Sequence, residues 1–274
     1  MSALVICPAQ AKDRCYCGRL TPGCETFMLC NNNYESAGGS DTGRNVENLT
    51  RKKRKIEKDD LLQEQTYTWK RISAENLSCD YTSLFNKAEA DDIFLQLEKA
   101  IVYFTGDLSK VQVYGKWHNV PRKQVTFGDD GLSYTFSGIT LSPKPWIPVL
   151  NLIRERVQLA TGYTFNFVLI NRYKDGNDHM GDHRDDEKEL VPQSPIASVS
   201  FGACRDFIFR HRDSRGKNAV RKMEPVKLEL EHGSLLMMNF PTNVYWYHSL
   251  PVRRKVLAPR VNLTFRKIKP QNQR

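Results

Sequence analysis

The stretch Arg260-Val261-Asn262-Leu263-Thr264-Phe265-Arg266 alternates polar and apolar side chains at every step. On an extended strand this period puts Arg260, Asn262, Thr264 and Arg266 on one face and Val261, Leu263 and Phe265 on the other. An edge strand with solvated arginines satisfies the pattern. So does a strand whose polar face lines a buried anion site, because unpaired guanidinium groups are not buried in a plain apolar core. A dicarboxylic acid suits the second arrangement, with one guanidinium fork on the carboxylate at each end. Upstream, Phe167-Val168-Leu169-Ile170-Asn171-Arg172-Tyr173 is an apolar run that ends with Asn171 and Tyr173 on a shared face, an amide and a phenol available to the same anion.

A second constellation is His183-Arg184-Asp185. On an extended strand, residues two apart project from the same face, so this histidine and carboxylate can grip one metal ion. A third ligand is needed, and among the six histidines His248 is the best placed, in Tyr245-Trp246-Tyr247-His248-Ser249 after the apolar run Met237-Met238-Asn239-Phe240-Pro241. That position predicts a strand start near the rim of a barrel. Two imidazoles and one carboxylate form the facial triad of non-haem Fe(II) oxygenases, which leaves positions open for cosubstrate and dioxygen. An isolated H-x-D motif is common by chance. Zinc is the rival metal, but structural zinc sites bring four ligands with cysteines, and no cysteine lies near these three residues.

The chain of 274 residues carries 41 Lys and Arg against 31 Asp and Glu, a net charge of +10. This excess calls for a polyanionic partner, nucleic acid or an acidic membrane surface. No apolar run reaches the ~18 to 20 residues of a membrane span and no secretory signal opens the chain, so a soluble intracellular protein is expected. Five of the seven cysteines, Cys7, Cys15, Cys17, Cys24 and Cys30, lie in the first thirty residues without a paired C-x-x-C rhythm. An odd total in such a chain predicts free thiols, with metal binding or redox sensing as the alternative.

Residues 1–65 lack helical or strand periodicity and are rich in Asn, Ser and Gly, which predicts a disordered basic tail. Within it Arg51-Lys52-Lys53-Arg54-Lys55 suits a nuclear import signal or a nucleic-acid tether, with a solvated charge run as the plain alternative. One domain is expected over 66–270. Asn86-Lys87-Ala88-Glu89 has capping-box spacing before Ile93, Leu97, Ala100, Ile101 and Phe104, predicting a helix over about 87–103. Pro148 and Gly162 bracket a second helix with Val149, Leu150, Ile153 and Val157 as its stripe. Strands follow at 165–173, 196–202, 206–211, 226–230, 234–239 and 261–267. The fold class is therefore mostly β with flanking helices.

Together, H-x-D, a distant histidine and R-x-N-x-T-x-R resemble the AlkB family of Fe(II)/2-oxoglutarate dioxygenases, in particular its DNA repair demethylases. The resemblance runs from about Tyr67 to Lys267 and includes Phe104-Thr105-Gly106, Gly115-Lys116-Trp117-His118, Thr135-Phe136-Ser137-Gly138 and Leu141-Ser142-Pro143-Lys144-Pro145-Trp146. It implies a double-stranded β-helix (jelly roll) dioxygenase core, with Fe(II), 2-oxoglutarate and O2 as cofactors and cosubstrates. It implies that His183, Asp185 and His248 hold iron, that Arg266 and Asn171 steady the 2-oxo acid end, that Arg260 and Tyr173 clamp the distal carboxylate, and that Asn262 and Thr264 belong to the same site. The activity implied is oxidative demethylation of 1-methyladenine and 3-methylcytosine in double-stranded DNA by base flipping, with loss of formaldehyde, in the nucleus, by a monomer.

Further roles are carried over on the matching positions. Phe136, with Tyr134 on its strand face and aided by the imidazole of His183, is the base-stacking candidate, although core packing is the plain reading of Phe136. Glu187 and Arg122 are expected to shape the base pocket. Val113-Tyr114-Gly115 stands where relatives carry a Val-Phe-Gly hairpin tip that fills the vacated stack, so a tyrosine replaces the usual phenylalanine. Arg253, Arg254 and Lys255 form one candidate phosphate contact and Arg210, Arg215, Gly216 and Lys217 another, each with a solvated loop as the alternative. The short sliding-clamp motif of the relatives is not found near the N-terminus. A hydroxylase of a protein or small molecule on the same jelly roll is the second reading and a non-catalytic metal-binding module the third; the basic loops oppose the former, and the intact triad with both arginines opposes the latter.

Overall fold

The computed structural model describes residues 66–113, 116–136, 139–217 and 219–270. In chain order the elements are β1 (Lys70–Ala74), β2 (Leu77–Ser83), α1 (Lys87–Ala100), β3 (Lys110–Val113), β4 (Lys116–Asn119), β5 (Lys123–Gly128), β6 (Tyr134–Phe136) and β7 (Ile139–Leu141). They continue with α2 (Pro148–Thr161), β8 (Phe167–Tyr173), β9 (Met180–His183), β10 (Ile196–Gly202), β11 (Arg205–His211), β12 (Val226–Leu230), β13 (Ser234–Met238), the single turn α3 (Thr242–Tyr245), β14 (Trp246–Leu250) and β15 (Arg260–Arg266). A seven-stranded sheet has the order β1-β2-β13-β10-β15-β8-β5 and a four-stranded sheet the order β12-β11-β14-β9. Two hairpins, β3-β4 and β6-β7, stand apart from both. The N-terminal tail with its cysteines and basic run, and Tyr114 and Gly115, fall outside the described residues. Among the described residues, no helix is long and apolar enough to cross a membrane.

The helices form where their caps allow and dock where their stripes point. Asn86 Oδ1 accepts from Glu89 N at 3.0 Å while Glu89 accepts from Asn86 N at 3.0 Å, which closes the capping box at the start of α1. Ala90, Ile93 and Leu97 then face inward, as do Val149, Leu150, Ile153 and Val157 of α2, which ends on Gly162 at φ 75°. These stripes share one core with Val261, Leu263 and Phe265 of β15, Val168 and Ile170 of β8, and Val199 and Phe201 of β10. Both helices thus cover the outer face of the large sheet, and each buried branched or aromatic side chain contributes about 1.5–3 kcal/mol. Arg172, also on that face, pairs with Glu98 of α1 at 2.6 Å.

The alternation read in β15 has a structural outcome that excludes the edge-strand alternative. β15 lies between β10 and β8, and all seven of its residues are buried. Its register sets Arg260 opposite Tyr173 and Asn262 opposite Asn171. With the apolar residues under the helices, the polar face turns toward the small sheet. A second core of Phe207, Phe209, Leu236, Met238 and Trp246 fills the rest of the space between the sheets.

Two local expectations are corrected. The helix expected to reach 103 stops at Ala100, because Ile101 is already extended and Phe104 N donates to Gln124 O at 2.8 Å, which draws the chain onto β5. His248, expected at a strand start, is the third residue of five in β14, since the strand begins at Trp246 directly after α3.

Candidate metal and cosubstrate site

Each proposed metal donor comes from a different local context. His183 closes β9, Asp185 lies two residues beyond that strand, and His248 sits opposite His183 in the β14–β9 register. The H-x-D pair is therefore not held by one continuous strand; the chain leaves the sheet at His183 and brings Asp185 back. The two imidazole rings lie 4.2 Å apart, and the ligand atoms of all three residues fall within 4.8 Å of one another. His183 is partly open to solvent, whereas Asp185 and His248 are buried. Phe207 stacks on the His248 ring at 5.2 Å and Phe209 meets it edge-on, which fixes the imidazole plane.

The electrostatics suit a cation. Burial works against the charge of Asp185, but the opposing pull of Arg266, then of His248 and His183, holds its carboxyl down at about 2. Arg266 Nη2 donates to Asp185 Oδ1 at 2.9 Å, and both side chains are only 3% exposed. Burial, followed by repulsion from His183, pushes His248 down to about 3, so at neutral pH it presents an uncharged imidazole, the form that ligates metal. Among the described residues, His248 Nδ1 has no hydrogen-bond partner.

This shift gives the metal-free protein a defined acid sensitivity. The unfolded chain takes up a proton at His248 near pH 6.5, while the folded state resists protonation until about pH 3. Stability present above pH 6.5 is therefore lost progressively as pH falls, by up to about 1.4 kcal/mol per pH unit for one proton. Asp185 adds a further loss only below its ordinary pKa of 3.8, down to about 2. Urea midpoints of chelator-treated protein from pH 7.5 to 5 are expected to fall, and His248→Phe, which keeps the ring among Phe207 and Phe209, is expected to flatten that slope.

Arg122, Asn171, His183, Asp185, Glu187, His248, Asn262, Thr264 and Arg266 line one cavity between the sheets, together with the apolar side chains of Leu169, Phe207 and Met238. Asn171 Oδ1 accepts from Arg122 Nε at 2.8 Å and from Gln124 Nε2 at 2.9 Å, which aims its amide NH2 as a donor. Asn262 donates to Ser198 Oγ at 2.9 Å and to Val199 O at 3.0 Å, and accepts from Thr264 Oγ1 at 3.2 Å. These two residues are thus committed mainly to holding β15 against β10. Arg260 and Tyr173 stand two register pairs beyond Asn262 and Asn171 and do not line this cavity. Arg260 donates to Ser200 Oγ at 2.9 Å and lies over the Tyr173 ring at 5.9 Å. Burial draws its guanidinium down to about 10. Among the described residues, Nε and Nη1 of both Arg260 and Arg266 are buried without hydrogen-bond partners, four nitrogen donors suited to the carboxylates of a dianion.

The other predicted residues are placed as follows. Tyr134 is fully buried, 4.6 Å from the Phe167 ring, and its hydroxyl donates to Glu187, whose carboxyl is pushed up by burial. Phe136 ends β6, paired in register with Ile139, and Val113 ends β3, paired with Lys116. Arg210 is tied to Asp182 at 2.9 Å, and Arg215 reaches the same carboxylate at 3.5 Å while its guanidinium lies over the Tyr247 ring at 3.6 Å. Gly216, at φ 68°, and Lys217 follow in an exposed loop. Arg253 pairs with Asp206, whereas Arg254 and Lys255 are exposed. Sequence reasoning missed Gln124, Ser198, Ser200 and Asp182. The two serines carry a visible signal, since they alternate with Ala197, Val199 and Phe201 in the same period that marks β15.

Two antiparallel sheets enclosing two histidines, a carboxylate and unsatisfied arginines define a non-haem iron oxygenase that uses a 2-oxo acid. The model of the 2OG-Fe(II) oxygenase superfamily matches residues 80–266. The DNA oxidative demethylase ALKBH2 of Bos taurus is 73% identical over 76% of this chain and 74% of its own length, and that of Homo sapiens is 73% identical over 73% and 77%. The solved structure of OsALKBH1 superposes with a TM-score of 0.51 at 14% identity, covering 72% of this chain and all of the other, which supports the fold alone. The chain belongs to the AlkB family within the 2OG-Fe(II) oxygenase superfamily. It is an enzyme of the dioxygenase type, with Fe(II), 2-oxoglutarate and O2 as its cofactor and cosubstrates.

Proposed function

We propose that this enzyme repairs DNA by oxidising the N-methyl group of 1-methyladenine and 3-methylcytosine in a duplex, with the damaged base flipped out and the methyl carbon released as formaldehyde. The observation that carries this reading is that the cavity holding all three metal donors also carries Arg122 and Glu187, a cation and a carboxyl able to read a base edge. The names of the ALKBH2 relatives point the same way.

His183, Asp185 and His248 would hold Fe(II). Arg266 and the Asn171 amide would receive the 2-oxo acid end of 2-oxoglutarate, while Arg260 and the Tyr173 hydroxyl would receive the distal carboxylate. The bound iron and cosubstrate supply the oxidising power, with 2-oxoglutarate becoming succinate and carbon dioxide as one oxygen atom enters a methyl C–H bond. The protein contributes placement and dryness. Phe207, Met238 and Leu169 exclude water, the Arg266 guanidinium keeps Asp185 ionised, and Glu187, held by Tyr134, faces the base. Arg254 and Lys255, exposed in the loop before β15, would take phosphates of the duplex, as would Lys217, and the basic run 51–55 would serve nuclear import.

The decisive assay is incubation with a methylated duplex, iron, ascorbate and 2-oxoglutarate, reading restored base and succinate by mass. Succinate without base repair would transfer the protein to the hydroxylase reading. If Tyr114 fills the gap left by the flipped base, Tyr114→Ala is expected to lower duplex repair on the order of ten- to a hundredfold, the rate equivalent of a few kcal/mol of lost stacking. Single-strand repair should hardly change, and Tyr114→Phe should be close to neutral. Equal losses on both substrates would mean that Tyr114 supports the fold instead.

A further inference from the structure

Arg205 opens β11 at 2% exposure, and among the described residues it has no carboxylate partner. Its guanidinium instead holds three backbone carbonyls. Nη1 donates to Asp175 O at 3.1 Å, and Nη2 donates to Asp178 O at 3.0 Å and to Pro251 O at 2.7 Å. Asp175 and Asp178 belong to the loop that leaves Tyr173, and Pro251 begins the loop that carries Arg253, Arg254 and Lys255. The two loops are joined a second time at Gly176, whose N–H donates to Val256 O at 2.7 Å and whose carbonyl accepts from Arg253 N at 2.7 Å. A Cβ on Gly176 would stand 1.7 Å from the Arg253 carbonyl oxygen, so only glycine permits this approach. Facing inward, the guanidinium groups of Arg205 and Arg260 each lie 5.9 Å from the centre of the Tyr173 ring. Asp178 and Asp206 partly offset the charge of Arg205, whereas at Arg260 burial works against the charge and repulsion from Arg205 adds to it, a repulsion that an anion seated at Arg260 relieves.

We propose that Arg205 is a positioning residue that couples cosubstrate binding to the basic loop: a carboxylate seated at Arg260 and Tyr173 offsets the repulsion between the two guanidinium groups and so locks the carbonyl contacts that hold residues 251–256. The inference rests on the reading above that Arg260 and Tyr173 take the distal carboxylate and that Arg254 and Lys255 face DNA.

The test uses protein loaded with Mn(II) and N-oxalylglycine as an unreactive probe, and follows trypsin cleavage after Arg253, Arg254 and Lys255 by mass spectrometry. Binding of the probe is measured on the same samples by calorimetry. In the wild type the probe is expected to slow cleavage at these three bonds by at least about fivefold, the lower end of ordinary coupling between sites. In Arg205→Met the cleavage rate should be the same with and without the probe. Arg205→Lys retains charge and most of the volume but cannot span three carbonyls; it is expected to lose the protection as well, and it serves if the methionine variant fails to fold. Probe binding and protection in the wild type, matched by equal protection in folded Arg205→Lys, would overturn the coupling and leave the cosubstrate site standing. Binding without any protection in the wild type would overturn it too. Failure of the wild type to bind the probe at all would remove the site itself.

Discussion

Asp185→Ala is expected to abolish turnover and to destabilise the protein as well, whereas His183→Ala should abolish turnover and leave stability almost unchanged. Loss of a residue that merely orients a metal ligand costs about 10- to 100-fold, so loss of a direct ligand should exceed about a hundredfold in each case. The stability effects diverge because the three side chains do different structural work. His183 is partly exposed and its ring makes one bond, to Gly181 O at 3.0 Å. Asp185 is the carboxylate partner of Arg266 within hydrogen-bond distance, and deleting it leaves a buried guanidinium unpaired, which costs about 3–5 kcal/mol. His248→Ala should fall between them, since it empties space beside Phe207 and Phe209 without stranding a charge. Bound iron, read by atomic absorption, and chemical denaturation of the metal-free proteins would check both halves. Undiminished activity in any one variant would strike that residue from the ligand set.

Arg266→Leu is expected to raise the KM for 2-oxoglutarate by about ten- to a hundredfold or more while the KM for DNA stays within about twofold. A hydrogen bond to a charged group contributes about 1.5–3 kcal/mol, and Arg266 would supply more than one to the cosubstrate. The same change removes the guanidinium that holds Asp185 down at about 2, so burial prevails and the carboxyl pKa rises. Metal affinity near neutral pH should then fall more steeply with acidity than in the wild type, since protons and metal compete for one oxygen donor. Arg266→Lys should recover part of the metal affinity, because it returns a charge, but little of the 2-oxoglutarate affinity, because it lacks the fork. Parallel increases in both KM values would point to a general loss of structure instead.

The parts of this architecture legible in the chain are those where one local pattern carries the whole constraint. β15 could be read because its polar residues are buried at a period of two, and α1 because its capping box and apolar stripe sit within a few residues of each other. β9 could not. Met180-Gly181-Asp182-His183 is four residues long, contains a glycine and shows no alternation, and its partner lies more than sixty positions downstream. Arg205 was silent for a related reason: its partners are carbonyl groups at positions 175, 178 and 251, and a backbone acceptor leaves no trace in residue identity. The engagement of Arg210 and Arg215 by Asp182, and of Arg253 by Asp206, likewise depends on register between strands. Basic residues in loops read alike whether they are free or already paired.

The position of β9 bears on how the enzyme is loaded and unloaded. This strand forms one margin of the small sheet and meets β14 at only two register pairs with an irregularity between them, His183 with His248 and Met180 with Leu250. Arg266, by contrast, belongs to an interior strand of the large sheet, β15, which is paired on both sides. An ion bound by His183 and His248 therefore fastens this loosely attached margin to its neighbour β14 in the same sheet, and its departure needs only the unzipping of a few residues, a local opening far cheaper than global unfolding. Exchange of iron should then be gradual and reversible, with the helices and the arginine strand serving as a standing template onto which the margin recloses.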